Sequence, residues 1–598
     1  MATAIPHITY RPAIDGLRAI AVISVFIFHL NKTWLPGGFV GVDVFFVISG
    51  YLITSIILKD LHNGSFTIAG FYQRRIARIF PAFFTVGLVT VAVASYFYSS
   101  QDFASVGESL TAASLSIVNM QLMLQGNYFT VSPDSMPFLH YWSLSVEEQF
   151  YIFYPLFLVF LYKSCRKRLF LILCVFCGFS LLACVIYTTF RPIRAFYFLP
   201  TRAWELFAGC LLAIQTDSKP SPKIRWAVSG GVLAIGLSLL LVPGGPAFPG
   251  FWALLPVLGT VGVLMAPANG VSERCLSAPP LVLLGKMSYS IYLWHWPIFS
   301  LVDYKMFLAS ETTRLVVKIV LSLSAATLSY WIIENPARRF LNRQESRHLA
   351  YCFLVLALAL CIPMGIFISK TMYVYANLRD VRNGGLVFVG GSNVKSVVLM
   401  GDSHGAMYGK VMRDICKSRD GRLVVISVPA GLPLPASDNE FSQLWLDSLT
   451  VVKREKPDCL VLACSWTSQL KYDKERLSIA IEALRPYVGH FVLINQIPLL
   501  PNDANRASMR RGLRPPFYED AEVSQRRIEM NGFLERYNSP QCKIVRVESH
   551  FIHGERELLF FDEHGNELYQ DWQHLSGAGA DLIRSELENA IYGESSGR

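Results

Sequence analysis

The chain has 598 residues, of which 52% are hydrophobic and 16% are charged, and its mean hydropathy is positive. This composition is too apolar for an ordinary soluble protein and indicates that much of the chain lies in a membrane. The net charge of +10 does not indicate nucleic-acid binding, because Lys and Arg cluster in short loops between apolar segments. We therefore predict a membrane protein that binds a lipid bilayer and no nucleic acid.

Apolar segments separated by short loops fill the first 370 residues. A helix needs about 20 mostly apolar residues to cross a bilayer, and about eleven segments qualify. They begin near Ile14, Val40, Phe80, Tyr141, Leu169, Tyr197, Trp226, Phe251, Leu281, Leu315 and Tyr351. With the basic loops on the cytoplasmic side, the amino terminus is cytoplasmic and the chain after the eleventh segment lies outside.

The first apolar segment carries a cation and a base. Arg18 and His29 are eleven residues apart, about three helical turns and a rise of about 16 Å, so both lie on one helix face. The second segment adds Asp43 among closely spaced glycines. Ionisable groups at membrane depth are functional candidates by default. The structural alternative is that Arg18 anchors the cytoplasmic end and His29 lies at the interface.

The start of the third segment carries Arg75 and Arg78, which face the same way on a helix and offer paired donors to phosphate groups. Cytoplasmic anchoring would also explain them. The fourth segment opens with Glu147 and Glu148, which we expect near its outer end, where a helix amino terminus stabilises anions.

Two later apolar segments also contain ionisable groups. Glu205 follows Arg202 in Arg-Ala-Trp-Glu, and His295 lies in Ser-Tyr-Ser-Ile-Tyr-Leu-Trp-His. An aromatic belt explains the tryptophans near His295, and the histidine itself fits a hydrogen-bonded core residue. We keep Glu205 and His295 as candidates because charged groups in such segments usually face a site.

Five patterns occur in one order: Asp-Gly-Leu-Arg (15–18), Gly-Val-Asp-Val-Phe-Phe-Val-Ile-Ser-Gly (41–50), Arg-x-x-Arg (75–78), Trp-Ser-Leu-x-Val-Glu-Glu-Gln (142–149) and Ser-Tyr-x-x-Tyr-Leu-Trp-His (288–295). This combination resembles the acyltransferase 3 family of membrane acyltransferases over roughly the first 340 residues. The resemblance implies cytoplasmic acetyl-CoA as acyl donor, bound by Arg18, Arg75 and Arg78. It implies His29 as catalytic base or transient acetyl carrier, with Glu147 and Glu148 at the same site.

The remainder of the chain reads as a soluble α/β domain. Strands are predicted at 396–400, 423–428, 459–463, 491–494 and 544–547, separated by stretches long enough for helices, which favours a parallel sheet. Gly-Asp-Ser-His follows the first strand and places Ser403 in a strand-to-helix turn. Near the carboxy terminus, Asp571 precedes His574 by three residues. A nucleophilic serine needs such a base and such an orienting acid.

These two motifs at opposite ends of one domain resemble the SGNH hydrolase and acyltransferase family. That family usually takes oxyanion donors from a glycine after the second strand and an asparagine after the third. Gly431 fits the first, but Cys464-Ser465-Trp466-Thr467 contains no asparagine. We expect the oxyanion hole to use the backbone of Ser403 and Gly431, or a backbone amide near Ser465 or Trp466. His404 is expected to be a structural or substrate contact and not a second base.

The predicted fold is a multi-pass α-helical membrane domain at 1–345, an eleventh transmembrane helix and linker at 346–395, which bring the total to about eleven spans, and an α/β SGNH-like domain with a parallel sheet at 396–598. Four cysteines in the last part allow one or two disulfides, in an oxidising compartment. They are Cys416, Cys459, Cys464 and Cys542.

The predicted function is transfer of an acetyl group from acetyl-CoA, across a bacterial inner membrane, to a hydroxyl of a surface polysaccharide. O-antigen of lipopolysaccharide is the first expected acceptor, lipid-linked glycan a related one, and peptidoglycan the alternative. Two rivals are a glycan or lipid transporter with an outer binding domain and a membrane-tethered esterase. No metal is expected, and residues 396–598 are expected in the periplasm.

Overall fold

The structure is a computed structural model that describes residues 10–125, 133–215, 223–265, 271–389, 394–435, 442–554 and 556–593. The chain forms two compact units. The first, here the membrane unit, contains residues 1–97, 106–306 and 311–366. The second, here the outer unit, contains residues 367–598 together with two short stretches, 98–105 and 307–310.

Up to residue 372, the described part of the chain consists of helices and the loops that connect them. The α-helices are α1 (Pro12–Leu30), α2 (Gly41–His62), α3 (Ile68–Phe97), α4 (Ser100–Ser114), α5 (Val118–Gln125), α6 (Tyr141–Ser164), α7 (Leu169–Phe190), α8 (Pro192–Tyr197), α9 (Leu199–Gln215), α10 (Lys223–Leu241), α11 (Leu254–Leu264), α12 (Val271–Leu276), α13 (Pro279–Lys286), α14 (Ser288–Lys305), α15 (Glu311–Leu328), α16 (Asn335–Leu341) and α17 (Arg347–Met372). A π-helical turn, Ser329–Glu334, joins α15 to α16.

Seven helical stretches in the described part of the chain are long and apolar enough to cross a membrane. They are Pro12–Leu30, Gly38–His62, Ile68–Phe97, Tyr141–Ser164, Arg166–Phe190, Glu311–Leu341 and Gln344–Met372. The predicted count of eleven is therefore not confirmed. The other four predicted segments are also helical, but each is shorter or more polar; α9, for example, has 17 residues and contains Arg202 and Glu205.

Helices α2 and α9 pack with their backbones in direct contact. A Cβ atom on Gly50 would lie 1.9 Å from the Leu206 carbonyl oxygen, and one on Gly209 would lie 2.0 Å from the Val47 carbonyl oxygen. Only glycine fits at both positions, as in other closely packed membrane helices. This contact holds Asp43 of α2 beside Arg202 of α9.

The outer unit is built on a six-stranded sheet with the order β1-β3-β2-β4-β5-β7. Strands β2 to β5 and β7 are parallel, whereas β1 pairs with β3 antiparallel. A second sheet has the order β6-β9-β8. The strands are β1 (Leu386–Phe388), β2 (Ser396–Gly401), β3 (Arg422–Val425), β4 (Cys459–Ala463), β5 (His490–Ile494), β6 (Phe517–Tyr518), β7 (Cys542–Val545), β8 (Ile552–His553) and β9 (Glu557–Leu558).

All five predicted strands are present, and apolar side chains cover both faces of their sheet. These five strands are parallel as expected, but the sheet as a whole is mixed because the edge strand β1 runs antiparallel. The helices of this unit are α18 (Leu378–Arg382), α19 (Ser403–Ala406), α20 (Gly409–Ser418), α21 (Gln443–Glu455), α22 (Trp466–Gln469), α23 (Glu475–Leu484), α24 (Arg506–Arg510), α25 (Ala521–Leu534), α26 (Gly577–Asp581) and α27 (Arg584–Tyr592).

The two short stretches of the outer unit are tied to its carboxy-terminal part by specific contacts. Ser99 Oγ donates to Gln570 Oε1 at 2.6 Å, and the Phe307 and Phe561 rings stack with centroids 6.3 Å apart. The four cysteines of this unit are buried free thiols, so the expected disulfides are not formed.

Candidate functional site

The membrane unit contains three pockets that share lining side chains. The first, the arginine pocket, encloses about 630 Å³ and shares Arg75 and Arg78 with the central pocket, which encloses about 880 Å³. The central pocket in turn shares Val42 and Tyr292 with the histidine pocket, which encloses about 420 Å³. The three pockets therefore follow one another through the helices.

Four guanidinium groups meet at the arginine pocket: those of Arg74, Arg75, Arg78 and Arg338. Arg74 pairs with Asp60 at 2.7 Å, and Arg75 lies 3.9 Å from Glu148. Arg78 makes no salt bridge or hydrogen bond with any residue that the structure describes, which leaves its charge available to an anion. Such a group of arginines suits phosphate oxygens, which accept paired hydrogen bonds from guanidinium.

The central pocket brings the predicted acidic pair to the predicted arginines. Glu147 and Glu148 line it together with Arg18, Arg75 and Arg78. Ser49 Oγ donates to Glu147 Oε1 at 2.5 Å, and the Arg75 guanidinium lies 3.9 Å from the centre of the Tyr151 ring. The two carboxylates lie about two turns inside α6, so they do not act as an outer helix cap.

His29 lies in a group of three buried or half-buried histidines. Its Nδ1 is 3.1 Å from His295 Nε2, and the two rings stack with centroids 5.3 Å apart. His295 Nδ1 is 2.7 Å from the Tyr292 carbonyl oxygen. His140, which the sequence analysis did not select, contacts His295 with ring centroids 5.4 Å apart and donates from Nε2 to the Leu293 carbonyl at 3.2 Å.

These contacts fix the tautomers of the neutral rings. The Tyr292 carbonyl can only accept, so His295 carries its proton on Nδ1 and accepts at Nε2. The Nδ1–H group of His29 is then the donor to His295, and the lone pair of His29 lies on Nε2. Because His29 lines the histidine pocket, this nitrogen is the one suited to take a proton or an acyl group.

Asp43, Arg202 and Glu205 form an ion cluster that is completely buried. Arg202 lies 3.1 Å from Asp43 and 3.3 Å from Glu205, and four aromatic rings surround its guanidinium at 5.5–5.8 Å. Asp43 and Arg202 also line the histidine pocket. Removing one partner of a buried ion pair strongly destabilises the fold, because the other charge is left without a partner. We assign the cluster to holding α2 and α9 around the pocket.

In the outer unit, Ser403 begins α19 directly after β2. The side chain of Asp402 caps this helix by accepting from His404 N at 2.9 Å, and it also accepts from Ser465 N at 3.0 Å and Gln469 Nε2 at 3.0 Å. These bonds tie the turn after β2 to the loop after β4. In open α/β sheets, ligands bind at the carboxyl ends of the strands where the strand order reverses, which is where Ser403 lies.

Asp571 and His574 form the predicted pair. His574 Nδ1 donates to Asp571 Oδ2 at 2.8 Å, and the same carboxylate accepts the backbone N–H groups of Gln573 and His574, each at 2.9 Å. Burial opposes ionisation of Asp571, but these hydrogen bonds outweigh it and lower its pKa below the usual value. His574 Nε2 is buried and makes no hydrogen bond within the described residues.

The turn that carries Ser403 lies beside this pair. The ring of His404, the next residue, has its centroid 5.5 Å from that of His574. The structure therefore brings together a serine, a base and an acid from opposite ends of the outer unit. Their direct Ser403–His574 hydrogen bond is not formed, which is common when no substrate is bound.

The expected oxyanion donor after β3 is already engaged. Gly431 N–H donates to the Val428 carbonyl at 2.9 Å, so it is not directed toward a substrate. Gln469, on the short helix after β4, donates its amide to Asp402 and to the Gly431 carbonyl, the latter at 3.2 Å. Sequence analysis missed Gln469, although it follows the segment where the family's asparagine is absent.

Other residues of the pockets were also missed. Tyr292 belongs to a recognised pattern but received no role, and Arg338 was taken only as a topology signal. His140 directly precedes the Trp-Ser-Leu pattern, a position that could have drawn attention to it. Among the described residues, no group of three or more His, Cys, Asp or Glu side chains is placed to hold a metal ion.

Comparison with known proteins gives two family matches. Residues 11–334 match the model of an acyltransferase domain, and residues 375–589 match that of an SGNH domain fused to AT3 domains. The chain is similar to the peptidoglycan O-acetyltransferase OatA of Listeria monocytogenes, with 34% identity over 358 residues that cover 56% of this chain and 57% of that one. It is similar to the O-acetyltransferase OatA of Staphylococcus aureus, with 30% identity over 391 residues that cover 60% and 63%.

A solved structure is also similar to part of the chain. It is the periplasmic domain of a Salmonella ser. Paratyphi A lipopolysaccharide acetyltransferase, with 18% identity, a TM-score of 0.29, and coverage of 36% of this chain and 90% of that chain. The chain spans about three fifths of the length of the curated relatives that it matches. Since the acyltransferase model covers more than half of the chain and its recognised patterns line the three pockets, this integral membrane protein belongs to the acyltransferase 3 family and carries a fused SGNH domain.

Proposed function

We propose that the protein is an O-acetyltransferase that moves an acetyl group from acetyl-CoA through the membrane unit to a hydroxyl of a cell-envelope polysaccharide. The observation that carries this proposal is the succession of the three pockets, with arginines at one end and His29 at the other. An acyl-CoA has the same polarity, since its phosphates lie at one end and its thioester at the other. Family membership and the O-acetyltransferase relatives support the reaction class.

In this proposal Arg78, Arg338 and Arg75 hold the phosphates, and Arg18 adds positive charge farther along the central pocket. Glu147 and Glu148 orient the arginines through Ser49 and Arg75. The acetyl thioester reaches the histidine pocket beside Tyr292. No metal takes part, and acetyl-CoA is a substrate.

His29 acts through Nε2. As a base it takes the proton of an attacking hydroxyl while the oxygen bonds to the acetyl carbon, the C–S bond breaks, and the thiolate leaves and takes up that proton. As a carrier, Nε2 itself bonds to the acetyl carbon and later releases it to the hydroxyl. His295 serves both routes because it keeps the His29 lone pair on Nε2.

In the outer unit, Ser403 receives the acetyl group as an ester and His574 assists each transfer. When the ester forms, Ser403 Oγ bonds to the acetyl carbon and the bond between that carbon and the group that delivers it breaks. His574 takes the Ser403 proton and passes it to the leaving group, so that the imidazole is neutral again. When the acceptor hydroxyl attacks the ester, His574 takes the acceptor proton and returns it to Ser403 Oγ as the C–Oγ bond breaks. Asp571 holds the ring of His574 in the required tautomer.

We place the protein in a bacterial inner membrane, with a cytoplasmic amino terminus and residues 396–598 in the periplasm. The basic loops at 163–168 and 338–347 support this orientation. Seven crossings, like eleven, are an odd number, so the predicted orientation does not depend on which count holds. A cytoplasm-specific reporter after Arg598 should stay silent, and a periplasm-specific one should be active; the reverse result would contradict the orientation.

The acceptor is a polysaccharide, for which two candidates are proposed. One relative is named a peptidoglycan O-acetyltransferase, which favours peptidoglycan at least as much as lipopolysaccharide O-antigen. The test uses purified full-length protein in lipid nanodiscs with radiolabelled acetyl-CoA and, separately, lipid-linked O-antigen or peptidoglycan fragments. Label should reach one glycan, and His29→Ala and Ser403→Ala should abolish it.

The same experiment separates the rivals. A transporter would move glycan without labelling it, and a tethered esterase would release acetate from an acetylated glycan without needing acetyl-CoA. Label on neither glycan, with intact and folded protein, would contradict the proposed reaction for these acceptors.

A further inference from the structure

His404 is a buried titratable residue to which the mechanism above gives no role. His404 is only 3% exposed, and its Nε2 atom is buried without a hydrogen-bond partner among the described residues. It directly follows Ser403, and its ring centroid lies 5.5 Å from that of His574. A buried polar atom without a partner costs about 1–3 kcal/mol, so its retention beside a reacting serine needs an explanation.

Acetyl transfer in the outer unit calls for a second donor to the oxygen of the reacting acetyl group. A tetrahedral intermediate places negative charge on that oxygen, and acyl-transfer sites direct hydrogen-bond donors at it. The Ser403 N–H group, at the first position of α19, is one such donor. Three nearby backbone donors are occupied: Gly431 N by Val428, Ser465 N by Asp402, and Thr467 N by Gln496 at 2.8 Å.

The amide of Gln469 is occupied as well. Both of its contacts are to acceptors of the turn scaffold, Asp402 and the Gly431 carbonyl. It therefore holds the two loops together and cannot replace the absent asparagine without releasing Asp402.

We propose that His404 is a catalytic residue whose Nε2–H donates to the acetyl carbonyl oxygen during transfer to and from Ser403, in place of the family's asparagine. The proposal rests on the proposed acetyl-Ser403 step. The covalent changes are those given for Ser403 and His574. On loading, the C–Oγ bond forms, the bond from the acetyl carbon to the delivering group breaks, and His574 passes the Ser403 proton to that leaving group. On transfer to the acceptor, a new C–O bond forms, the C–Oγ bond breaks, and His574 passes the acceptor proton to Ser403 Oγ. His404 transfers no proton and only stabilises the oxygen that gains the electron pair of the C=O bond.

The protonation state of His404 agrees with a donor and not with a second base. Burial lowers its pKa to about 4, despite the opposing attraction of Asp402. The ring is therefore neutral at pH 7 and bears one N–H group. A general base works best with a pKa near the working pH, which a value of about 4 does not provide. A neutral imidazole can instead act as a hydrogen-bond donor to a developing oxyanion.

The test uses full-length protein in nanodiscs and p-nitrophenyl acetate, an acetyl ester that needs neither acetyl-CoA nor a glycan. Three variants are compared with wild type: His404→Leu, which removes the donor; His404→Gln, which keeps an N–H group near the Nε2 position without basicity; and Ser403→Ala. Kinetic constants are measured for p-nitrophenol release, and thermal unfolding checks the fold.

We expect His404→Leu to lower kcat about 10²- to 10³-fold, the usual cost of one oxyanion donor, with KM changed less than about threefold. His404→Gln should recover most of that loss. A wild-type rate in His404→Leu, or equal loss in His404→Gln and His404→Leu, would overturn the donor role. If His404→Leu unfolds, His404→Phe, which keeps the ring shape, takes its place.

Failure of the underlying function would look different. If Ser403→Ala hydrolyses the ester at the wild-type rate, the acetyl-Ser403 step fails and the role of His404 fails with it. If Ser403→Ala is inactive while His404→Leu is fully active, Ser403 is the nucleophile and only the inference about His404 is wrong.

Discussion

Each unit of the protein holds one catalytic candidate histidine in a fixed tautomer, but the partner differs. His574 donates from Nδ1 to the Asp571 carboxylate at 2.8 Å. His29 instead donates from Nδ1 to the neutral ring of His295, whose own Nδ1–H group donates to the main-chain carbonyl of Tyr292. A carboxylate stabilises the imidazolium that forms when a histidine takes a proton. A series of neutral hydrogen-bonding groups fixes the His29 ring without placing another charge among membrane helices, where unpaired charge is costly.

The difference indicates different tasks. His574 can hold a proton between two steps, because its charged form has a counter-ion beside it. The Nδ1–H group of His29 is held by the neutral ring of His295, so His29 suits a step in which proton uptake and release nearly coincide, or one in which it carries the acetyl group. The variants below test this division, starting with the largest expected effect.

The largest expected effect is complete loss of acetyl transfer when Ser403 is replaced. In Ser403→Ala we expect no transfer to glycan, because the outer acetyl ester cannot form. The sharper measurement is peptide mass around Ser403 in wild type and His29→Ala, both supplied with acetyl-CoA and starved of acceptor. Acetyl on Ser403 in wild type and none in His29→Ala supports the relay. Equal acetylation in both would mean that the outer unit is loaded by another route.

Asp571→Asn should lower glycan acetylation about 10³- to 10⁴-fold, because the amide can favour the wrong tautomer of His574 and provides no counter-ion. Asp562→Asn is the matched control, since Asp562 caps a turn by accepting from His564 N and Asn566 N. A loss under about tenfold in Asp571→Asn would contradict a triad in the outer unit.

His295→Leu should lower acetyl transfer about 10²-fold, because His29 loses the acceptor that keeps its lone pair on Nε2. His295→Gln should restore most activity, since the Gln carbonyl can accept from His29 Nδ1. The readout is the acetylation rate against pH in both variants. If the Leu and Gln variants lose activity equally, His295 only fills space.

Arg78→Gln should raise KM for acetyl-CoA about tenfold or more and change kcat little, because it removes a charge-assisted contact to phosphate. Arg166→Gln is a control, since Arg166 lines none of the three pockets and its guanidinium lies over the Tyr162 ring. An unchanged KM in Arg78→Gln would remove Arg78 from the donor site.

The smallest expected effect is on stability. The pKa of His404 is lowered to about 4 by burial, so the folded state binds fewer protons than the unfolded state between pH 6.5 and 4. Its contribution to stability is complete above pH 6.5 and declines as the pH falls. Between pH 7.5 and 5 the loss is about 2 kcal/mol, or roughly 4–8 °C in Tm of the outer unit. His404→Gln should show a smaller decline over this range, and an equal one would contradict the assignment.

Sequence patterns predicted most of what depends on composition and order. The apolar segments, the five parallel strands and the Ser403, His574 and Asp571 group follow from hydrophobic patterning and from short motifs at fixed positions. The count of eleven spans is not confirmed. Helices α9 and α14 carry polar residues that other helices bury, and a hydropathy rule measures contact with lipid and not with protein. The antiparallel strand β1 was not predicted. It is only three residues long, and the first predicted strand was the one that directly precedes the Gly-Asp-Ser-His motif.

Long-range partners were the least predictable part. Nothing in the sequence pairs His29 with His295, 266 residues away, or directs the Gln469 amide to Asp402. Gly431 was expected to face the substrate because of its position after β3, but its N–H closes a local turn with Val428. Whether a backbone N–H group faces a substrate or closes a local turn depends on the backbone geometry of a few residues. Residue type alone does not determine that geometry.

The composition of the outer unit has a consequence for how the protein is made. Ser99 bonds to Gln570, and the two are 471 residues apart in the chain. At a synthesis rate of about 5–20 residues per second, Ser99 waits roughly 25–95 s for its partner. The outer unit is thus completed only at the end of translation, and a fragment that begins at residue 367 would lack the side chains of Ser99 and Phe307 that cover Gln570 and Phe561. Refolding of that fragment would therefore measure the folding of an incomplete outer unit.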